Sequence, residues 1–497
     1  MSYIRVTYSG LIAFAVGLSG IFTGIIFTII VTRELTPDEV GLWTLIGSLV
    51  SYVVVVEPII SFWTTRQIAR GEQVAKTSVA TSGVLSVVAI VVYGGIALYI
   101  SSSLNVDFFP VILAAFLVPL MFLTNTLNSI ALSHKPQAIS YGMIVFEVSK
   151  LPLGLLLVYS AQFGLVGAII ATIIASLAKT IFLIVFLWDT LVESIKINVI
   201  KYWFRLSWLP VYMNGSGFIF SLDVLIFSLL TNSLLGLAFW GVANAISNLV
   251  AHSAQISQAL YPKILAIGKK EIIGENLKRL LFFAIPLLAA SIVFAKPALH
   301  ILNPLYIEGV FIVYFLSIRA FMYVIKNVAN GILTSYENVD IDKGVSIKKI
   351  VKSKLFFLPT LDYLLRGSYV GILALFLIFT QTIEIEDIDL VTYWSLIVVL
   401  VIAPFMIYSV LLLRKNHQIN LPYDAILKFS AVALLSSLIT YFIIENYLIY
   451  YESIFDFIPH LIPFIILAGA IYFGASYAFD KSTREFFKLI FTEIKSK

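Results

Sequence analysis

Arg319, Tyr323, Lys326 and Asn330 recur at helical spacing within an otherwise apolar stretch, which sets all four on one face of a helix. An arginine presents a planar fork of donors matched to phosphate oxygens and a lysine a compact point charge, so such a stripe could hold a partly desolvated anion. Lys150 and Lys179 are the matching cations of the first part of the chain. Plainer readings stand beside these. Lys150 follows Glu147 by three residues and could simply pair with it along the helix. Lys179 and Lys326 lie toward the ends of their apolar runs and could extend to the membrane interface. Asp223 could bind a coupling ion, Na+ or H+, or serve as counter-ion to a cation on a facing helix. Glu57 precedes Pro58 and could bind such an ion or mark a helix terminus.

Two polar stripes have a different chemistry. Asn244, Asn248, His252 and Gln255 share one face, and Thr44, Ser48 and Ser51 share another. Stripes of this kind either line a wet cavity that can hydrogen-bond sugar hydroxyls or hold helices together. Catalytic constellations are missing from the sequence. There is no cysteine, no metal-spaced His/Cys set, no Gly-rich phosphate loop followed by Lys and Ser/Thr, and no GxSxG elbow. The expectation is therefore a protein that is not an enzyme and needs no cofactor or metal beyond a coupling ion.

The elements that position these groups follow from composition. Hydrophobic residues make up 60% of the 497 and charged residues 12%, whereas a soluble domain has roughly 45–50% and 25%. No long polar segment interrupts the apolar runs, so one membrane-embedded, all-α unit is expected. A helix needs about 20 apolar residues to cross the hydrocarbon core, which yields about fourteen spans. Spans 1–7 are placed near 9–31, 40–60, 78–100, 108–130, 139–160, 163–187 and 208–231. Spans 8–14 follow near 234–260, 279–296, 309–335, 363–381, 391–413, 425–445 and 458–479. Span 1 is long for a signal peptide and no small-residue cleavage site follows it, so a retained helix is expected.

Lysine and arginine test the count. They gather in alternate segments, including Arg66, Arg70, Lys135, Lys196, Arg205, Lys278, Lys349 and Arg414, while the other loops hold only Arg33 and Lys296 and are acidic. This alternation predicts that both termini are cytoplasmic. The net charge of +5 belongs to those loops and gives no reason to expect nucleic acid. Stretches 188–207 and 336–362 read as linkers. The basic tail, with Phe486, Phe487, Leu489, Ile490 and Ile494, suits a helix on an anionic leaflet or a frayed end.

An internal repeat sharpens the organisation. Leu35-Thr36-Pro37-Asp38-Glu39-Val40-Gly41-Leu42 matches the segment from Leu230 to Leu237, and Asn125, Asn128, Ile130 and Ser133 match Asn327, Asn330, Ile332 and Ser335. Both matches predict two parallel six-helix repeats, residues 1–200 and 201–415, followed by two further helices at 416–480 and a cytoplasmic tail at 481–497. Parallel repeats build transporters with a site between halves that opens alternately to each side. Thr36 with Glu39, and Pro37 after the cap, also suit a helix start, so the first motif has a purely structural reading too.

The segment Thr32-Arg-Glu-Leu-Thr-Pro-Asp-Glu-Val-Gly-Leu-Trp43 after a first span resembles the opening of Wzx-type polysaccharide flippases of the multidrug/oligosaccharidyl-lipid/polysaccharide (MOP) exporter superfamily. Ser221-Leu-Asp223-Val-Leu-Ile226, then Leu235-Gly236-Leu, with Pro210 early in span 7, is similar to the start of that family's second half. The chain departs from the family at Gly236-Leu-Ala-Phe-Trp240, where a tyrosine usually follows the glycine. The resemblance implies a MATE-like fold in the plasma membrane and transbilayer flipping of a polyprenyl-(pyro)phosphate-linked oligosaccharide for cell-surface glycan or glycoprotein assembly. Its implied partners are that glycolipid, membrane lipids, and a glycan polymerase or glycosyltransferases. On this reading Arg319, Lys326, Lys179 and Lys150 would face the diphosphate. One alternative is a drug or metabolite antiporter of the same superfamily, for which carboxylates rather than cations would be expected in the cavity. Another is a membrane glycosyltransferase or glycan ligase, for which a long outer loop with paired acidic or His residues would be expected; Asp387 and Asp389 form an Asp-x-Asp-like pair, but in a short loop where they read as acidic punctuation.

Overall fold

A computed structural model describes residues 20, 23–254, 270–335, 351–417, 422–481, 483–485 and 487–488, and their regular structure is entirely helical. Among the described residues twelve helices are long and apolar enough to cross a membrane, and the pair Pro37–Val54 and Pro58–Ala69 passes the same test as one span bent by 59°. The protein is thus a multi-pass, all-α membrane protein. Most of expected span 1 lies outside the described residues; 23–34 are helical.

The helices are packed with their small and polar residues inward. Span 3, Ala75–Leu104, buries Ser78, Ser82, Ser86, Ala89, Tyr93 and Ala97, while Val84, Val88, Val91 and Leu98 stand exposed. The buried set repeats every three or four residues, which is one face of a helix. Span 13, Tyr423–Tyr447, does the same with Ala425, Phe429, Ala433, Ser436, Thr440 and Ile444. Lipid tails are as apolar as leucine, so the apolar face gains nothing by turning inward, and small residues let backbones approach.

Several boundaries differ from expectation for physical reasons. Span 2 does not end near 60: it breaks after Val54 and resumes at Pro58, whose missing N–H interrupts the helical ladder, and it continues to Ala69. Span 11 runs from Lys354 to Thr380, starting nine residues before the expected 363. Span 12, Asp387–His417, takes Asp387 and Asp389 into its first turn, where they complement the positive end of the helix dipole. The acidic pair is therefore not a loop feature. Span 8 is helical over Leu234–Ala251 with a closing turn at His252–Ala254, and its expected end, with Gln255, lies outside the described residues. The remaining spans are Phe108–His134, Gln137–Ser160, Gly164–Phe186, Trp208–Thr231, Ile273–Val293, Val310–Ser335 and Ile454–Phe479.

The stretch 188–207 is more ordered than a linker needs to be. Its helix Ile197–Arg205 buries Trp203 against Ile60, Trp63 and Val74, and the Trp203 indole donates to Gln67 Oε1 at 2.9 Å. In the tail, Phe487 packs beside Phe282 and Tyr477, so the tail begins against protein. Phe486, Leu489, Ile490 and Ile494, on which the leaflet expectation also rested, lie outside the described residues, as do residues 336–350 with their lysines.

Contacts group the chain into two units, residues 1–241 with 359–391 and residues 242–358 with 392–497. Within the first unit the repeated motif does its structural work. The Thr36 hydroxyl accepts from Glu39 N while the Glu39 carboxylate accepts from Thr36 N at 2.9 Å, a complete capping box. In the second copy Ser233 Oγ accepts from Gly236 N at 2.9 Å. The two caps match as Thr36 and Ser233, so the structural register of this motif is two residues beyond the one that aligns Gly41 with Gly236. Gly41 lies against the Leu234 carbonyl, with no room for a Cβ. Gly41→Ala is expected to cost about 1–3 kcal/mol, read as a lower thermal unfolding temperature in detergent. Gly47→Ala, whose Cβ would enter open space, is the control and should leave it within a degree or two.

Candidate functional site

In the second unit, the cationic stripe of span 10 points into protein. Arg319 is 8% and Lys326 1% exposed, as the tenth and seventeenth of the 26 residues of Val310–Ser335. Arg319 donates through Nη2 to Asn244 Oδ1 of span 8. The Lys326 ammonium stands 5.8 Å from the Tyr323 ring centroid, within cation–π range. At 1% exposure Lys326 does not snorkel. Asn330, one turn further, has a buried carboxamide oxygen with no hydrogen-bond partner among the described residues. On span 8, Asn248 is exposed, His252 is half-buried, and Asn244 meets Arg319.

The first unit holds the other candidates in three separate places. Lys150 Nζ lies 3.6 Å from Glu147 Oε2 and 4.7 and 4.8 Å from the Phe27 and Phe146 ring centroids. Lys179 reaches the same Phe146 ring at 5.9 Å. The helical pairing of Lys150 with Glu147 is thus present, and Lys179 stands beside the same Phe146 ring. Glu57 is 2% exposed and accepts from Thr126 Oγ1 of span 4 at 3.1 Å. It stands at the break of span 2, twelve residues before Ala69, so it does not mark the inner end of the span, and its side chain makes no cap bond. Asp223, 3% exposed on span 7, accepts from the Tyr369 hydroxyl of span 11 at 2.8 Å and from Val224 N.

The polar stripe of span 2 is largely satisfied within its own helix. Thr44, Ser48 and Ser51 donate to the carbonyls of Val40, Thr44 and Gly47 at 3.0, 3.3 and 2.9 Å respectively. Such back-bonding leaves hydroxyl lone pairs free to accept but removes the donors. Sequence reasoning missed Arg366 and Tyr369, because span 11 was expected to start at 363 and left Arg366 at its edge. The three-residue spacing of Thr360, Tyr363, Arg366 and Tyr369 was the available signal.

No family model and no curated protein sequence matches the chain. Solved structures do. The inward-facing conformation of a multidrug resistance MATE family transporter of the MOP superfamily superposes with a TM-score of 0.58 at 12% identity, covering 82% of this chain and 99% of its own. The chain has the MOP fold. Two further structures extend the likeness. Lipid II flippase MurJ in its inward closed conformation aligns with a TM-score of 0.67 at 13% identity over 94% of this chain and 98% of that one. The MATE multidrug transporter DinF-BH aligns at 0.59 and 18% identity over 84% and 97%. Within the MOP fold, then, these helices bring Arg319 to Asn244, Lys150 and Lys179 to Phe146, Glu57 to Thr126 and Asp223 to Tyr369.

Proposed function

We propose that this chain moves a polyprenyl-(pyro)phosphate-linked oligosaccharide from the inner to the outer leaflet by alternating access. The observation that carries the reading is the burial of Arg319 and Lys326 within a membrane span. Cations at that depth are costly and are retained where a substrate or ion path needs them. A guanidinium fork with an ammonium seven residues on suits a diphosphate, and Lys150 and Lys179 supply a second cationic group. The likeness to a lipid II flippase supports the same class of cargo, and so does its extent. It covers 94% of this chain against 82% for the MATE transporter, a difference roughly the size of segment 416–480, the two additional helices. An inside-negative potential would favour outward movement of the head group by about 2.3 kcal/mol per charge per 100 mV, so no nucleotide is required.

Drug or metabolite antiport is the second reading, and one observation favours it: Glu57, Glu147 and Asp223 are buried carboxylates within spans of the first unit. One experiment separates the two. Cells lacking the gene are expected to collect lipid-linked oligosaccharide on the inner face, detected by its protection from externally added glycosidase, and the intact chain should restore export. Unchanged glycolipid with new sensitivity to organic cations would overturn the flippase reading in favour of antiport.

A further inference from the structure

Within the first unit, span 7 and the part of span 11 from Pro359 onward meet along a polar seam that the cations discussed above do not use. Thr360, Tyr363, Arg366 and Tyr369 follow one another every three residues along span 11, and each meets span 7. The Tyr212 hydroxyl bonds to Thr360 Oγ1, and the Tyr212 and Tyr363 rings stack with centroids 5.3 Å apart. Arg366 Cζ lies 5.7 Å from the Phe220 ring centroid, and Tyr369 reaches Asp223. Two glycines allow this approach: a Cβ at Gly215 would fall 2.5 Å from the Tyr363 hydroxyl, and one at Gly217 would fall 3.2 Å from Arg366 Nη1.

Arg366 is the thirteenth of the 27 residues of span 11, about 18 Å along it at 1.5 Å per residue. Its Nε–H is buried without an acceptor, and it has no hydrogen bond or ion pair among the described residues. Arg366 is half-buried, and the contact with Phe220 satisfies none of its five N–H donors. A guanidinium halfway along a membrane helix, with its fork unfilled, is arranged for an anion that arrives from elsewhere.

We infer that Arg366 is an anion-binding residue of the span 7–span 11 seam and that its ligand is a phosphate-bearing lipid head group. The planar fork selects phosphate oxygens, and the depth selects a ligand that comes with a lipid tail. The hydroxyls of Tyr212, Tyr363 and Thr360 line the same seam. The inference rests on the proposed function in taking a lipid diphosphate as cargo; the same chemistry could also come from a bilayer phospholipid.

The test uses the full-length protein in nanodiscs, with undecaprenyl diphosphate and phosphatidylglycerol as separate probes and binding read by native mass spectrometry. Arg366→Gln is expected to weaken diphosphate binding about tenfold or more, with unchanged thermal unfolding, and Arg366→Lys to restore it only in part, since a point charge lacks the fork. Loss confined to the diphosphate supports the site and the cargo. Parallel loss of phosphatidylglycerol supports the site and makes bilayer lipid its source. A wild type that never binds the diphosphate, while phosphatidylglycerol binding still depends on Arg366, overturns the cargo reading and leaves the site. Undiminished binding of both probes by Arg366→Gln overturns the inference. Should that variant fail to fold, Arg366→Lys decides: affinity equal to wild type for both probes overturns it.

Discussion

Arg319→Ala is expected to abolish restoration of glycan export in cells lacking the gene while the protein still reaches the membrane at normal abundance. The guanidinium is 8% exposed and donates to Asn244, so its removal takes away both a charge and the fork that a diphosphate would fill. Truncating one partner of a buried, hydrogen-bonded charge pair costs about 2 kcal/mol or more, which at tenfold per 1.4 kcal/mol is about thirtyfold in affinity. In proteoliposomes with a fluorescent lipid-linked oligosaccharide, the initial flipping rate at limiting substrate should fall by at least that factor. Arg319→Lys separates charge from geometry. It keeps the positive charge but cannot make a bidentate contact, and an intermediate rate is expected. Asn244→Leu should mimic the intermediate case, because the cation remains but loses its orienting acceptor. A full rate for Arg319→Ala, with normal response to membrane potential, would show that span 10 does not handle the anion.

Much of this site was legible in the sequence because the cost of a charge in lipid makes intramembrane residues stand out. Arg319 and Lys326 stand out as ionisable residues at helical spacing within an apolar run, and both are buried. The Thr36–Glu39 cap and the Glu147–Lys150 pair were local in sequence and so could be read there. What was hidden depends on contacts between distant segments or on where a helix starts. Asp362 and Arg366 lower the hydropathy at the beginning of span 11, so the apolar window slid toward Thr380 and left Arg366 at its edge. Glu57 reads as a helix terminus because it precedes Pro58 near the expected inner end of span 2, and it does stand at the start of the helix Pro58–Ala69. The structure continues the helix to Ala69 after a proline-directed break, and Thr126 from span 4 meets the carboxylate. The hydroxyls of Thr44, Ser48 and Ser51 form a stripe on paper, but composition cannot reveal that each donates to a carbonyl in its own helix.

The carboxylate of Asp223 poses the sharpest question about energy coupling, and Asp223→Asn is expected to answer it. Asp223 was open to two roles, ion site or counter-ion, and the structure gives it the Tyr369 hydroxyl and Val224 N as donors. An asparagine keeps an acceptor for Tyr369 and nearly the same volume, so the packing of spans 7 and 11 should survive and thermal unfolding should shift little. What it loses is the ability to carry a proton or to bind Na+ as an anion. If Asp223 couples transport to an ion, gradient-driven flipping in proteoliposomes should fall about tenfold or more, a change of about 1.4 kcal/mol, while flipping driven by an imposed potential alone persists. Imposing a pH gradient and a sodium gradient separately then names the ion. If Asp223 is instead a structural counter-ion, both modes should decline together with stability, because removing one charge of a buried pair leaves the other uncompensated. Tyr369→Phe completes the cycle. It deletes one donor to the carboxylate without touching its charge, so a coupling role predicts a shifted ion dependence with coupling retained, and a purely structural role predicts lower stability with no change in that dependence.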